Sequence, residues 1–282
     1  MSSPTSVKLA PPAYIDPRIR RKYIIPYIIQ IWLSCLPAAF LLYWFYYAEL
    51  EVFIQNIFSS HTILADSFSF RGMLLSWGWD MPGWVFSILI PINFLLIYLI
   101  TVIWSATVTK IYIGLLNLRH KPIEGVFLRS EKDKDYVYWN RRNLSRIFLN
   151  WILFSVPFTF LKKAFAYQFF GVPIGKNVAM NHCWVSPEFI EIGNNVKIGQ
   201  AAGVYSFQFE GDKLLVAKVI IKDDVLIGPQ AVIYPGTLVN EGVTLDGGCF
   251  SDPFTEYKAN SVYHGTPAKL IDSAESKDSN ST

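Results

Sequence analysis

Few residues in this chain can move a proton at neutral pH. It has four histidines among 282 residues, and only His182, in the run Asn181-His182-Cys183-Trp184, and His264 lie beyond residue 170. Imidazole is the side chain closest to half-charged at pH 7, which makes His182 the first candidate general base. Glu210, in the stretch VYSFQFEGDKLLVAK (204–218), is the second, because burial would raise a carboxylate toward that role. Ser206 and Gln208 beside it can hold a substrate by hydrogen bonds without removing its proton. His264 lies close to the C-terminus, where a capping role is expected. Cys35, Cys183 and Cys249 stand far apart with no CxxC pair, which speaks against a disulfide framework or zinc knuckle and for a reduced setting. Two histidines in this half do not make a zinc site, and no metal is expected. No GxxxxGK[ST] phosphate loop and no G-x-S-x-G elbow occurs.

A repeat must position these residues. From Ile174 an aliphatic residue returns every six positions: Ile174 and Met180, then Ile192, Ile198 and Val204. The register resumes at Ile221, Ile227, Ile233, Val239 and Leu245, after a gap of 17 residues, and Ser186-Pro187 breaks it once. A period of six marks a parallel β-helix, in which three short strands form one triangular coil and the aliphatic position points inward. Gly, Asn and Asp follow because each corner needs a compact turn, often with positive φ.

The stretch VIIKDDVLIGPQAVIYPGTLVNEGVTL and the closing NSVYHGTPAKLI (260–271) resemble the hexapeptide-repeat acyltransferases, in particular their DapH/DapD/GlmU-type members and membrane-attached relatives. The resemblance covers residues 171–271 and implies a left-handed β-helix, a homotrimer and acyl-CoA as co-substrate. It also implies that acyl-CoA lies along the turns between subunits. The matching turn here is Asp246-Gly247-Gly248-Cys249, where Gly247 and Gly248 would let a pantetheine approach the backbone and Lys269 would meet a phosphate. Related enzymes place a catalytic histidine in the loop equivalent to 204–218, and this loop has none. That departure leaves His182 first and Glu210 second as base, and it keeps a non-catalytic trimeric scaffold as the alternative. The γ-carbonic anhydrases share the coil but need three converging histidines, and this half has two.

The N-terminal half is of another kind. The chain is 52% apolar and 17% charged, and eight of its nine tryptophans precede residue 170. Residues 23–47 carry no charge over 25 positions, and residues 81–109 carry none over 29. As helices both are long enough to cross a hydrocarbon layer of about 30 Å. Lys8, Arg18, Arg20, Arg21 and Lys22 precede the first; Glu49, Glu51, Asp66 and Asp80 lie between the two; Lys110, Arg119 and Lys121 follow. This bias predicts a two-span hairpin in the cell membrane with both termini cytoplasmic. Asn93, inside the second span, is expected to bond helix to helix.

A third apolar stretch, 147–161, has only 15 residues and is flanked by Arg141, Arg142, Arg146, Lys162 and Lys163. It is too short to span and suits an interfacial or re-entrant segment on an anionic leaflet. The expected organisation is a basic N-terminus (1–22), a transmembrane hairpin (23–110), a linker with the interfacial segment (111–170), the β-helix (171–271) and a disordered tail (272–282). A net charge of +3 gives no sign of nucleic-acid binding. The expected function is acyl transfer from acyl-CoA to a sugar, amino-sugar or lipid-linked acceptor at the cytoplasmic face, with membrane lipid and a second and third copy of the chain as partners.

Overall fold

The computed structural model describes residues 21–58, 83–154, 159–180 and 182–273. Lys8, Arg18, Arg20, Asp66, Arg71, Asp80, Trp77, Trp79 and residues 274–282 lie outside them. The chain divides into two compact units: Ile24–Thr109, and residues up to Tyr23 together with Lys110–Thr282.

The first unit holds most of two long helices, α1 (Arg21–Phe58) and α2 (Gly83–Arg119), of which Tyr23–Tyr43 and Pro91–Arg119 are long and apolar enough to span a bilayer. Their polarity is inside out. Gln30, Ser34, Asn93, Ser105 and Thr109 are buried between them, while Ile25, Ile28, Trp32, Phe40 and Phe94 face outward. Gln30 Nε2 donates to Thr109 Oγ1 at 2.9 Å, and Trp104 Nε1 donates to the Leu33 carbonyl at 3.0 Å. A water-soluble helix pair buries its apolar face, whereas small and polar residues at the seam suit helices whose outer surface is already apolar.

The second unit is built around the repeat. Its strands form three parallel faces. On the first, Ala179 pairs with Lys197, Lys197 with Leu226, Leu226 with Thr244 and Thr244 with Val262. The second face runs Trp184, Gly203, Val232, and the third runs Ile190, Val219, then Ile220, Leu238, Glu256. Most steps are 18 residues, or three hexapeptides per coil, and this establishes a triangular parallel coil directly from the pairing. The step from Lys197 to Leu226 is 29, because a hairpin is inserted into that coil.

The inward ladder follows the six-residue register. Ile198, Val204, Ile221, Ile227, Ile233, Val239 and Leu245 are all buried. Val185, not Ser186-Pro187, faces inward because the first coil is one residue longer: Val185 pairs with Val204, a step of 19. Beyond Leu245 the register continues through Ser251, Tyr257 and Tyr263, also buried. Cys183 and Cys249 are buried with Ala202 and Ala231 at equivalent inner positions, where only small side chains fit, and both thiols are free. Lys269–Ser273 pairs antiparallel with Ser261–His264 and covers that strand's edge.

Candidate functional site

The turns decide where chemistry can occur. At the edge between the first and second faces, His182, Ala201, Gln230 and Gly248 occupy equivalent left-handed positions, with φ of 45°, 57°, 58° and 71°. Each coil adds one strand spacing of about 4.8 Å, so His182 and Gly248 stand about 14 Å apart along one edge. A Cβ on Gly248 would meet nothing within 4 Å, and three sister turns hold a non-glycine residue at the same φ. Corner shape alone therefore does not account for the glycine pair Gly247-Gly248. By contrast a Cβ on Gly242, on another edge, would meet the end of the Asn260 side chain, which would have to shift.

Asp246 and His264 belong to the same edge as Gly248. His264 Nδ1 lies 3.0 Å from Asp246 Oδ2, and Gly247 N–H donates to Asp246 Oδ1 at 2.8 Å. The Gly247 N–H, and after it the His264 ring, hold the Asp246 carboxyl below its ordinary range. This pair ties the last coil to the one before it, in keeping with a closing role for His264. Lys269 is opposite His264 in the antiparallel register. One edge thus gathers His182, Gly247, Gly248 and Lys269, all at least partly exposed. His182 itself faces the Phe154 ring, with centroids 6.3 Å apart.

Glu210 lies elsewhere. The hairpin Phe207–Glu210 and Lys213–Val216 leaves the coil between the second and third faces, and Glu210 is exposed at its tip, opposite Lys213. The burial that would have made Glu210 a base is absent. Residues Gly125–Leu128 add a third antiparallel strand to this hairpin. Helix α3 (Lys134–Ser145) clamps it: Trp139 meets Phe207 edge-on at 4.9 Å and Phe209 at 5.7 Å, within a core that includes Tyr136, Tyr205, Leu214 and Val216. Asp133 caps α3 by accepting from Asp135 N and Tyr136 N, while its second oxygen accepts from Leu128 N. The segment 204–218, expected from the sequence as a loop, is thus part of a sheet, and the strand that completes it lies more than 80 residues upstream of its partner, beyond the reach of local pattern.

The basic flanks of the third apolar stretch also behave differently from expectation. Arg142 Nε and Arg146 Nη1 both donate to Glu188 Oε1, at 2.9 and 3.0 Å, with all three side chains largely buried. Burial pushes the Glu188 carboxyl up, but Arg146 and then Arg142 outweigh it and leave it below its ordinary value; burial lowers Arg146. Lys162 Nζ donates to the Cys183 carbonyl at 2.7 Å and lies 4.0 Å from the Phe154 ring centre. Burial brings Lys162 down to about 8 and pushes Cys183 up to about 11. These cations fix α4 (Ile147–Phe154) and α5 (Thr159–Lys162) onto the coil, so Arg142, Arg146 and Lys162 are not turned toward a leaflet. Residues 155–158 of the stretch lie outside the described residues.

A shallow groove at another edge is lined by Glu191, Lys222, Asp223 and Glu241. Its polar groups serve the coil: Asp223 accepts from the Asn194 backbone and side chain, and Glu191 pairs with Lys218. Among the described residues no group of three or more His, Cys, Asp or Glu side chains is placed to hold a metal.

No family model and no curated protein matches this chain. Solved structures similar to it are hexapeptide-repeat acetyltransferases and related acyltransferases. One is a hexapeptide-repeat-containing acetyltransferase of Vibrio cholerae, 24% identical over 36% of this chain and 62% of its own length, with a TM-score of 0.33. A maltose O-acetyltransferase of Clostridium difficile is 18% identical over 60% of this chain and 87% of its own, with a TM-score of 0.35. The N-acyltransferase AntD of Bacillus cereus, solved with a dTDP-sugar and coenzyme A, is 21% identical over 41% and 95%, with a TM-score of 0.28.

Proposed function

We propose that this chain is a membrane-anchored, acyl-CoA-dependent acyltransferase acting on a sugar, amino-sugar or lipid-linked acceptor at the cytoplasmic face. The observation that carries this reading is the single edge on which Lys269, Gly247-Gly248 and His182 follow one another. In this reading Lys269 meets a phosphate, the open glycine turn lets the pantetheine lie against the backbone, and the thioester end reaches toward His182. His182 takes the acceptor's proton as its oxygen or nitrogen attacks the thioester carbonyl, and returns a proton to the CoA sulfur as the C–S bond breaks. The sequence resemblance over 171–271 supports a left-handed coil and a trimer, whose interfaces would wall this edge. The inside-out polarity of α1 and α2 supports the membrane anchor, and the charge bias of their flanks supports cytoplasmic termini.

One observation favours a second reading, a non-catalytic trimeric scaffold. The hairpin that carries the histidine in related enzymes is sewn into a three-stranded sheet here and carries Gln208 and Glu210 instead. Release of free CoA from acetyl-CoA, assayed with candidate acceptors in membranes, separates the two. The enzyme reading expects turnover that His182→Ala abolishes. Turnover that survives His182→Ala and falls with Glu210→Gln would move the base to the hairpin; no turnover and no acyl-CoA binding by the unaltered protein would leave the scaffold.

A further inference from the structure

Helix α4 is apolar on both sides. Leu149, Ile152 and Leu153 are buried against their own unit, while Phe148 and Trp151 stack with ring centroids 6.3 Å apart on the outer side. Trp151 is 66% exposed, Phe154 49% and, in α5, Phe160 65%. Apart from the half-buried Asn150 every side chain of α4 is apolar, and a helix with apolar residues on both its inner and outer faces suits an apolar setting on both sides. The neighbouring cations sharpen the point. Arg142 and Arg146 turn inward to Glu188, and Lys162 turns inward to the Cys183 carbonyl. What α4 and α5 leave facing outward is aromatic rather than basic.

We infer that this aromatic face is seated in the interfacial layer of a lipid bilayer, held there by burial of aromatic surface and not by attraction of basic residues to anionic headgroups. Two observations select a bilayer as the occupant. The same chain carries two apolar helices with their polar residues turned to the seam, and the second of them, Pro91–Arg119, runs on into the compact unit that contains α4. Tryptophan is also enriched at headgroup depth, and tryptophan and phenylalanine line the buried face of helices that lie in that layer. The inference rests on the membrane-anchored part of the proposed function, not on its catalytic part. It has a consequence for that part: Phe154 faces His182, so the seated face brings the His182 edge to the membrane surface, where a lipid-linked acceptor would be presented.

The test uses full-length protein with Cys35 replaced by serine, reconstituted into phosphatidylcholine vesicles. One cysteine at a time is added in place of Trp151, Phe154, Phe40 or Lys213 and labelled with nitrobenzoxadiazole, while Cys183 and Cys249 stay buried. The labels at 151 and 154 should be blue-shifted, quenched several-fold more strongly by lipids with a shallow nitroxide than the label at Lys213, and shielded from iodide, with no change on adding salt. The label at Phe40 reports on the span itself. If Phe40 is lipid-quenched but 151 and 154 are as open to iodide as Lys213, the seated face is wrong and the anchor stands. Shielding of 151 and 154 from both quenchers would mean that protein covers the face, which also overturns the inference, and lipid quenching that vanishes in high salt would overturn its aromatic basis. If Phe40 too is open to iodide, the anchor and the inference fall together.

Discussion

His182 and Gly248 occupy equivalent left-handed turns on one edge of the coil, three coils apart. If the pantetheine lies along this edge, the two positions act on different kinetic quantities. His182→Ala should lower kcat about 10²- to 10⁴-fold and leave KM for acetyl-CoA unchanged. Gly248→Val, with a branched side chain at φ 71°, should raise KM for acetyl-CoA before it lowers kcat. Steady-state kinetics with varied acetyl-CoA measure both, and a His182→Ala effect confined to KM would contradict the assignment.

Among the described residues, Glu188 is the carboxylate that pairs with the two inward-turned arginines, Arg142 and Arg146. Glu188→Ala leaves both guanidiniums uncompensated in a buried site, which should cost about 3–5 kcal/mol. Glu191→Ala breaks a more exposed pair with Lys218 and should cost no more than about 1 kcal/mol. Denaturant unfolding of the two variants provides the comparison, and equal losses would contradict the buried character of the Glu188 cluster.

Lys162 and Cys183 give stability a pH dependence of known sign. Burial lowers Lys162 from 10.5 to about 8, so between pH 8 and 9 the unfolded chain holds a proton that the folded chain has begun to release. Stability should therefore rise with pH in that window. Burial raises Cys183 from 9.0 to about 11, so from pH 9 upward the folded chain keeps a proton the unfolded chain has lost, and this contribution falls. Thermal midpoints measured at pH 8 and 9 should show the rise in the unaltered protein and not in Lys162→Met. The same rise in the variant would assign it to other groups.

Trp139 touches both aromatic residues of the hairpin's first strand. Trp139→Ala should cost about 3–5 kcal/mol and expose the hairpin tip near Gly211 to protease well before the coil. Limited proteolysis with mass mapping reads this directly; cleavage confined to the coil would contradict the clamp.

The coil was legible because its register is written in aliphatic residues at a fixed spacing, and each of Ile221, Ile227, Ile233, Val239 and Leu245 is buried as that spacing requires. It was lost where the inward residue is Ser251, Tyr257 or Tyr263, since a polar or phenolic side chain carries no aliphatic signal; Ser251 meets the Thr237 hydroxyl instead. The flanking arginines misled for a related reason. Charge beside an apolar stretch reads as a headgroup contact, and nothing local shows that Glu188, more than forty residues on, will bury Arg142 and Arg146. His182, Gly247 and Gly248 could be named singly from residue type, but their common edge appears only when a coil step of 18 or 19 residues, and the inserted hairpin, are laid out in the strand pairing.

Binding of acetyl-CoA to the full-length protein, compared with Gly247→Leu, tests the account at its centre. A Cβ at Gly247 meets only ordinary contacts, 3.5 Å from the Pro229 carbonyl oxygen, so the variant should fold while its side chain occupies the open turn. Isothermal titration should show saturable binding to the unaltered protein and loss of it in Gly247→Leu. Failure of the unaltered protein to bind, or equal binding by both, would contradict an acyl-CoA site on this edge.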